Sequence, residues 1–285
     1  MRLVTYERTG AVRHGRLDDD QVVELGDGDL GTLVESGLNP GPSKGEYSLD
    51  DVKLLAPLRR PGKLLAVAAN YQDHVTETGA DPLDKSRISP RLFLKPSSSI
   101  VGPDAVIPLP DVSGQVDWEA ELSVVIGKRA RGVAEADALD HVAGYMTSND
   151  VSARSLDLGY ERDTGDKAVW FFDWLAGKWC DGFAPLGPWL VTADEVADPQ
   201  ALSVDLAVNG VARQHGSTKD MIFSVAEQIA HASRLMTLEP GDVIMTGTPS
   251  GVGVATGEYL KAGDEMTVVI GGVIGGLGTL RNTVA

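Results

Sequence analysis

The chain has 285 residues, of which 42% are hydrophobic, and it carries a formal net charge of -16 at pH 7. This length is enough to bury a substantial core, and the acidic balance argues against a phosphate backbone as partner. No apolar run approaches the roughly 20 residues that span a bilayer, and the start, MRLVTYERTG, lacks the apolar centre of a secretion signal. The single cysteine, Cys180, suits a reducing compartment. We therefore expect a cytoplasmic protein that binds neither nucleic acid nor membranes.

In chain order, residues 1–58 contain the strand-like segments MRLVTYE and QVVEL and a short helical segment near GTLVESGL. They predict a small N-terminal α+β domain. From residue 59 to 285, β-rich segments separated by Gly and Pro turns dominate; they are KLLAVAA, WEAELSVVIG, GYMTSNDV, VDLAVNG, GDVIMTG and EMTVVIGG. This order predicts an α+β, mostly β protein whose second domain is a mixed β-roll or barrel.

Two helices are predicted within the second domain. Apolar residues in TKDMIFSVAEQIAHASRL recur at helical spacing, and Ser217 or Thr218 could cap its start. A shorter helix fits AEADALDHV. These helices are expected at the periphery of the β structure.

Two patterns suggest chemistry that the sequence does not otherwise favour. Gly26, Gly28 and Gly31 have G-x-G-x-x-G spacing, but NPGP ends the following helix too soon for a dinucleotide-binding unit. Cys180 has no histidine partner nearby in sequence, so a buried thiol is favoured over a nucleophile.

The strand-like stretch VDWEAELSVVIGK, residues 116–128, contains two acidic residues at alternate positions. Side chains at i and i+2 of a strand point to the same face, so Glu119 and Glu121 lie together. One interpretation is a half-exposed strand with a solvated acidic face. The other is a pair of carboxylates that converge on a cation.

Three further stretches favour the second interpretation, although each also has an ordinary structural explanation. In GYMTSNDVSAR an apolar strand ends in Asp150, with Arg154 following. Three carboxylates form an oxygen-rich site that suits Mg²⁺, Mn²⁺ or Ca²⁺ rather than zinc. In NYQDHVTETG, His74 and Glu77 would share a helical face, and a carboxylate that orients a histidine improves it as a base. In GDVIMTGTPSGVG, turn N–H groups and the Thr248 hydroxyl could hold a carboxylate.

Together with KLLAVAANYQDH, PRLFLKPSSSIVGP, GKWCDGFAPLGPWLVTADEV and VNGVARQHGSTKDMIF, these stretches occur in the order typical of a known family. From about residue 60 to the end, the chain resembles the fumarylacetoacetate hydrolase family. The resemblance implies a mixed β-roll catalytic domain, usually dimeric, behind a variable N-terminal domain. It also implies Mg²⁺ or Mn²⁺, with Ca²⁺ as a further option, held by Glu119, Glu121 and Asp150.

The resemblance further implies roles for individual side chains. His74 and Glu77 match the family's water-activating pair, and Lys178 matches its active-site lysine. The substrate contacts that we assign are Arg154, Asp157, Gln214 and Thr248.

The chain departs from the family's common pattern beside this site. Ser155 and Asp157 stand where Asp and Gln are common, and Gly182 stands where Thr or Ser is common. The segment 151–177 is longer than usual, and its VWFFDWL stretch could wall an apolar pocket, lie in the core or form a dimer interface. These departures put the substrate pocket in doubt and leave the predicted metal ligands intact.

The resulting expectation is a homodimeric enzyme that hydrolyses a C–C bond in an acylpyruvate-like 2,4-dioxo acid with the help of a metal. Its substrate would be a small anionic 2-oxo acid. The alternative is an oxaloacetate-type decarboxylase, or a hydratase or isomerase acting on a 2-oxo or 2-hydroxydienoate acid in the catabolism of aromatics or sugars. These routes share a metal-stabilised enolate, so the family alone does not choose among them.

Overall fold

The computed structural model describes residues 1–272 and 276–285, and strands dominate it. The strands are β1 Arg2–Arg8, β2 Ala11–Asp18, β3 Gln21–Asp27, β4 Gly45–Ser48, β5 Lys53–Leu55, β6 Leu64–Ala68, β7 Arg91–Leu94, β8 Ile100–Val101, β9 Val106–Ile107, β10 Val116–Asp117, β11 Ala120–Ile126, β12 Val142–Asn149, β13 Ser152–Ala153, β14 Ala184–Thr192, β15 Ser203–Val208, β16 Val211–Ser217, β17 Val243–Met245, β18 Glu265–Ile270 and β19 Thr279–Val284. The α-helices are α1 Gly31–Glu35, α2 Gln72–Glu77, α3 Lys167–Ala176, α4 Val225–Leu235 and α5 Gly253–Thr256. The prediction of a mostly β protein is confirmed.

The largest sheet contains strands from both predicted domains. Its order is β4-β3-β2-β1-β14-β12-β11-β17-β6-β7, so β1 of the N-terminal part pairs with β14 of the rest. Hydrogen bonding therefore continues across the predicted boundary at residue 58, and the division into two domains stays a prediction. Of the three-glycine pattern, Gly26 lies in β3, which pairs antiparallel with β2, and Gly31 begins the five-residue helix α1. An antiparallel hairpin followed by so short a helix agrees with rejecting a dinucleotide site.

A second sheet of five strands, in the order β16-β15-β18-β19-β9, packs on the first. In β15 and β18 buried and half-buried residues alternate, because one face of each strand covers the core. Among the residues that meet between the sheets are Leu122, Val124, Leu206 and Val268, all at most 2% exposed. Burial of this apolar surface stabilises the frame on which the site is built.

The acidic strand differs from its prediction in two respects. It is interrupted at Trp118 and Glu119, where β10 leaves to pair with β13 and β11 continues beside β12. Every residue of β11 is buried, so the interpretation as a half-exposed strand with a solvated acidic face is wrong. The strand lies between two neighbours in the sheet and is covered on both faces.

The predicted long helix begins later than expected. Residues 218–220 form a 3-10 turn, and Met221 bridges to Tyr71. The helix α4 starts after Ser224, whose side chain accepts from the Glu227 N–H while the Glu227 carboxylate accepts from the Ser224 N–H. Neither Ser217 nor Thr218 caps it. The predicted AEADALDHV helix is a 3-10 helix over Glu135–His141.

Within residues 1–272 and 276–285, no helix is long and apolar enough to cross a membrane. The expected homodimer and cytoplasmic location stay predictions.

Candidate active site

Three buried carboxylates meet at one edge of the large sheet. Because β11 runs antiparallel to β12, the start of β11 lies opposite the end of β12, and Glu119 and Glu121 come beside Asp150. Oxygen atoms of these three side chains lie within 4.8 Å of one another. The Asp150 N–H donates to the Glu119 carbonyl at 2.8 Å, which fixes the two backbones together. The structure thus brings together the three predicted metal ligands.

Two lysines contact these carboxylates. The Lys178 ammonium lies 2.9 Å from Glu119 Oε2 and 2.7 Å from Asp150 Oδ2, and the Lys95 ammonium lies 2.5 Å from Asp150 Oδ1. Both lysines are at most 4% exposed. Lys178 follows Gly177, where a Cβ would lie 2.1 Å from the Ala153 carbonyl oxygen, so glycine lets the chain pass close to β13. Buried charges of this kind are stable only when paired.

A third cation, Arg154, reaches the cluster from the other side. Its guanidinium lies 2.6 Å from Glu119 Oε1 and 2.8 Å from Asp117 Oδ2. Asp117 is fully buried and also accepts from the N–H groups of Gly253 at 2.6 Å and Val254 at 3.0 Å. Asp117 therefore holds Arg154 in a fixed position against Glu119.

The electrostatics of the two glutamates differ. Burial acts to raise the pKa of Glu119, but Lys178 and Arg154 hold that pKa below its usual range. For Glu121, burial and then the nearby Asp150 and Glu119 carboxylates raise the pKa well above its ordinary value. Burial acts to lower the pKa of Lys178, whereas Asp150 and Glu119 raise it overall. At formal charges the four carboxylates, including Asp117, outnumber the two lysines and the arginine by one, and a further cation would favour the ionised form of Glu121.

The predicted histidine–carboxylate pair lies on the short helix α2. His74 Nδ1 is 2.7 Å from Glu77 Oε1, at the i, i+3 spacing that the sequence indicated. The other Glu77 oxygen accepts from the Gly251 N–H at 2.7 Å, which ties α2 to the glycine-rich turn. Strand β6 is parallel to β17, so α2 after β6 and the turn after β17 meet at the same sheet edge as Glu119. With Nδ1 engaged, Nε2 of His74 is the ring nitrogen left for proton transfer.

Gln214 joins the acidic strand to the Gly-Thr-Pro turn. Its oxygen accepts from the Ala120 N–H at 2.8 Å, and its amide nitrogen donates to Thr248 Oγ1 at 2.8 Å and the Pro249 carbonyl at 2.9 Å. These contacts fix the position of the Thr248 hydroxyl. Gln214 is 1% exposed.

A cavity of about 1120 Å³ opens onto the cluster. The predicted site residues that line it are His74, Glu119, Asp150, Arg154, Lys178 and Thr248. Glu77 and Glu121 lie behind this lining. Glu77 contacts His74, and Glu121 accepts from the Gly247 N–H. The helix α3 and the end of β6 form other walls of the cavity.

Two predicted substrate contacts do not line the cavity. Asp157 is exposed, and its carboxylate accepts from the Gly159 N–H. Gln214 directs its amide to the protein backbone and Thr248. Their positions do not support a direct contact with substrate.

At the third departure from the family pattern, Gly182 has φ +78, and a Cβ there would lie 3.0 Å from Pro108 Cδ, so glycine suits both the turn and the space.

The sequence analysis missed Lys95 and the role of Asp117. Lys95 follows the apolar strand β7 in RLFLKP, and a lysine within an apolar run that becomes buried needs a carboxylate partner. Asp117 shares the acidic face of residues 116–128. Asn70 was also missed; its side chain bonds the Thr246 carbonyl at 2.8 Å and both backbone groups of Phe223.

Comparison with known proteins agrees with this geometry. Residues 63–285 match the model of the fumarylacetoacetate (FAA) hydrolase C-terminal domain, and residues 1–57 match one described as Rv2993c-like, N-terminal. The mitochondrial oxaloacetate tautomerase fahd2 of Xenopus laevis is 44% identical over 83% of this chain and 70% of its own length. The 2,4-didehydro-3-deoxy-L-rhamnonate hydrolase of a Sphingomonas species is 45% identical over 75% of this chain and 71% of its own length.

A solved structure is similar over the full chain. Maleylpyruvate hydrolase from Sphingobium sp. SYK-6, in complex with manganese(II) and pyruvate, has a TM-score of 0.76 and 30% identity over 100% of this chain and 99% of its own. The matched domain spans most of the chain, including all the carboxylates of the cluster. The chain belongs to the fumarylacetoacetate hydrolase family, and it is an enzyme of that family.

Proposed function

We propose that this enzyme hydrolyses the C–C bond between carbons 3 and 4 of an acylpyruvate-like 2,4-dioxo acid, with Mg²⁺ or Mn²⁺ bound by Glu119, Glu121 and Asp150. The observation that carries the proposal is the His74–Glu77 pair, whose histidine lines the same cavity as Glu119 and Asp150. A histidine oriented by a carboxylate is suited to activating water. Hydrolysis needs such a base.

The donor set fits a hard divalent ion. All three proposed ligands offer oxygen, all are buried, and their oxygens lie close enough to surround one ion. The related maleylpyruvate hydrolase was solved with manganese and pyruvate, which supports a 2-oxo acid beside such an ion. When bound, the ion supplies Lewis acidity and a template for the carboxylate and 2-oxo group of the substrate.

The residues of this chain perform the remaining tasks. His74 Nε2 accepts a proton from water, and the water oxygen forms a bond to the carbon 4 carbonyl. The bond between carbons 3 and 4 then breaks, and its electron pair passes to carbon 3 as the enolate of the 2-oxo acid. The Lys178 ammonium stabilises the developing negative charge. Return of the proton to carbon 3 gives pyruvate and the carboxylic acid of the tail.

A second candidate is tautomerisation of oxaloacetate, which the frog relative's name favours. That reaction moves one proton between carbon 3 and the 2-oxo oxygen, and His74 is the base available in the cavity. The rhamnonate hydrolase relative favours hydrolysis to a similar degree. The presence of Glu77 behind His74 supports the reaction that must activate water.

The deciding experiment incubates the enzyme with acetylpyruvate or with oxaloacetate at equal concentration and follows the products, first with Mn²⁺ and then with a chelator. Pyruvate release from acetylpyruvate should depend on the metal. It should survive His215→Ala, a control whose side chain is 86% exposed, and be lost in His74→Ala. If only keto–enol conversion of oxaloacetate responds to metal and to His74, the tautomerase is the correct function. Consumption of oxaloacetate with CO₂ release, unchanged in His74→Ala, would identify the decarboxylase alternative.

A further inference from the structure

Aromatic side chains lead from the charged cluster to the mouth of the cavity. The Lys178 ammonium lies 5.7 Å from the centre of the Phe93 ring and 5.8 Å from that of Trp174. Phe93 and Trp174 are in edge-to-face contact at 5.1 Å, and Phe171 stacks on Trp174 at 6.1 Å. Phe171 is 48% exposed and Trp170 is 61% exposed, so the path runs from the buried floor outward.

The helix α3 that carries most of these rings is fixed at both ends. Asp166 caps its start by accepting from the N–H groups of Ala168 and Val169 at 2.7 and 3.1 Å. Its end passes against β13, where Ala153 donates to the Gly177 carbonyl at 2.9 Å. The helix therefore holds its aromatic residues in place beside the cavity.

The charges along this wall do not favour an anion. Asp173 of α3 lines the cavity, and its carboxylate is paired with Arg162 at 2.7 Å. Arg91 also lines the cavity but is exposed, where a carboxylate would remain hydrated. Aromatic faces carry partial negative charge, and placing a carboxylate against them costs its hydration. An alkyl or aryl group gains by leaving water there.

We infer that the enzyme selects substrates whose distal tail is apolar, an alkyl or aryl group of several carbons, and that Trp170, Phe171 and Trp174 form the subsite for it. This inference rests on the proposed function for the position of the 2-oxo acid end. It extends that function by specifying the chemical class of the group at the far end of the substrate. A substrate with a second carboxylate at its far end would be bound more weakly.

The test measures binding, so that it does not depend on turnover. Two 2-oxo acids of equal length, 2-oxooctanoate and 2-oxooctanedioate, lack the carbon 4 carbonyl and differ only in their far ends. Calorimetric titration with Mn²⁺ present should show that 2-oxooctanoate binds about tenfold more tightly, equivalent to about 1.4 kcal/mol. In Trp170→Ala this preference should fall by about fivefold, because the variant removes apolar cover from the tail.

Phe172→Ala is the matched control. Phe172 lies on the same helix and is 61% exposed, as Trp170 is, but it is not part of the cavity lining. Its removal should leave the preference unchanged. Equal or tighter binding of 2-oxooctanedioate, lost in Arg91→Gln, would overturn the inference. A second result would also overturn it: neither Trp170→Ala nor Phe172→Ala changes the preference, but both variants convert an oligomer to a smaller species. The exposed face of α3 would then pack against a second copy of the chain.

Failure of the proposed function gives a different result. If 2-oxooctanoate binds preferentially but no acylpyruvate is hydrolysed, the apolar subsite stands and the reaction is another one. If acetylpyruvate is hydrolysed and the tail preference is absent, the reaction stands and the subsite is wrong.

Discussion

Asp117→Asn should destabilise the protein strongly, although it changes one oxygen to nitrogen. The Asp117 carboxylate is fully buried and accepts from the Trp118, Gly253 and Val254 N–H groups at 2.7, 2.6 and 3.0 Å and from the Arg154 guanidinium at 2.8 Å. An amide nitrogen cannot accept, so the variant places a donor against donors. It also leaves Arg154 with Glu119 alone.

The magnitude follows from these contacts. A hydrogen bond to a charged group contributes about 1.5–3 kcal/mol, and removing one partner of a buried ion pair costs about 3–5 kcal/mol. Because the contacts belong to one network, their costs do not add, and we expect a loss of about 3–5 kcal/mol in the free energy of unfolding. This is a large part of the about 5–15 kcal/mol typical of a protein.

The assay is urea unfolding of the wild type, Asp117→Asn and the control Asp111→Asn, which changes an exposed aspartate. The control should lie within about 0.5 kcal/mol of the wild type. Asp117 does not line the cavity and holds Arg154, an assigned substrate contact, in position, so Asp117→Asn should also raise KM more than it lowers kcat. A free energy of unfolding within about 1 kcal/mol of the wild type would refute the reasoning, since the lost ion pair with Arg154 and the donor placed against buried donors should together cost more than that.

Four further predictions concern the metal, the base, a helix cap and the pH dependence of stability. Glu119→Ala should greatly weaken Mn²⁺ binding in calorimetry, and wild-type affinity would remove Glu119 from the ligand set. His74→Ala should keep Mn²⁺ affinity while hydrolysis falls by about a hundredfold or more, and a parallel loss of metal would make His74 a ligand. Ser224→Ala should cost about 1 kcal/mol of stability by removing the α4 cap, read by urea unfolding. Lys85 and the Ser224 N–H hold the pKa of Glu227 below its usual range against the effect of burial. The stability that ionised Glu227 contributes to the folded protein is therefore complete above the unfolded pKa of about 4.3 and is lost as the pH falls below that value. Glu227→Gln should abolish this pH dependence.

Local periodicity was sufficient to find functional side chains that lie close together in the sequence. Alternation in a strand placed Glu119 with Glu121, and helical spacing placed His74 with Glu77. The same periodicity misled where apolar residues continue through a break. Trp118 fits the alternation of the strand although the chain leaves the sheet there, and Ile222 fits the helix although α4 begins three residues later.

A better signal for the helix start was present in the sequence. Ser224 and Glu227 have the S-x-x-E spacing of a capping box just before an apolar run. For Lys95 the signal is weaker, because its partner Asp150 is 55 residues away and only the folded chain brings them together. The same holds for Asp117 and Arg154, which are 37 residues apart. Pairings at such separations depend on sheet order, which no local pattern specifies.

The charge of the cluster bears on how an acidic protein could bind the proposed 2-oxo acid. The chain as a whole carries a formal charge of -16, which repels anions at long range. Counted at formal charges, the carboxylates of Asp117, Glu119, Glu121 and Asp150 outnumber Lys95, Lys178 and Arg154 by one. A divalent ion bound there would reverse that sign, so the site would attract the carboxylate of the proposed 2-oxo acid. A second carboxylate at the far end of the substrate would lie against the rings of Phe171 and Trp170, where the lining cation is the solvent-exposed Arg91. The positive charge that would hold a 2-oxo acid is therefore confined to the inner end of the site, and the aromatic outer end favours an uncharged group.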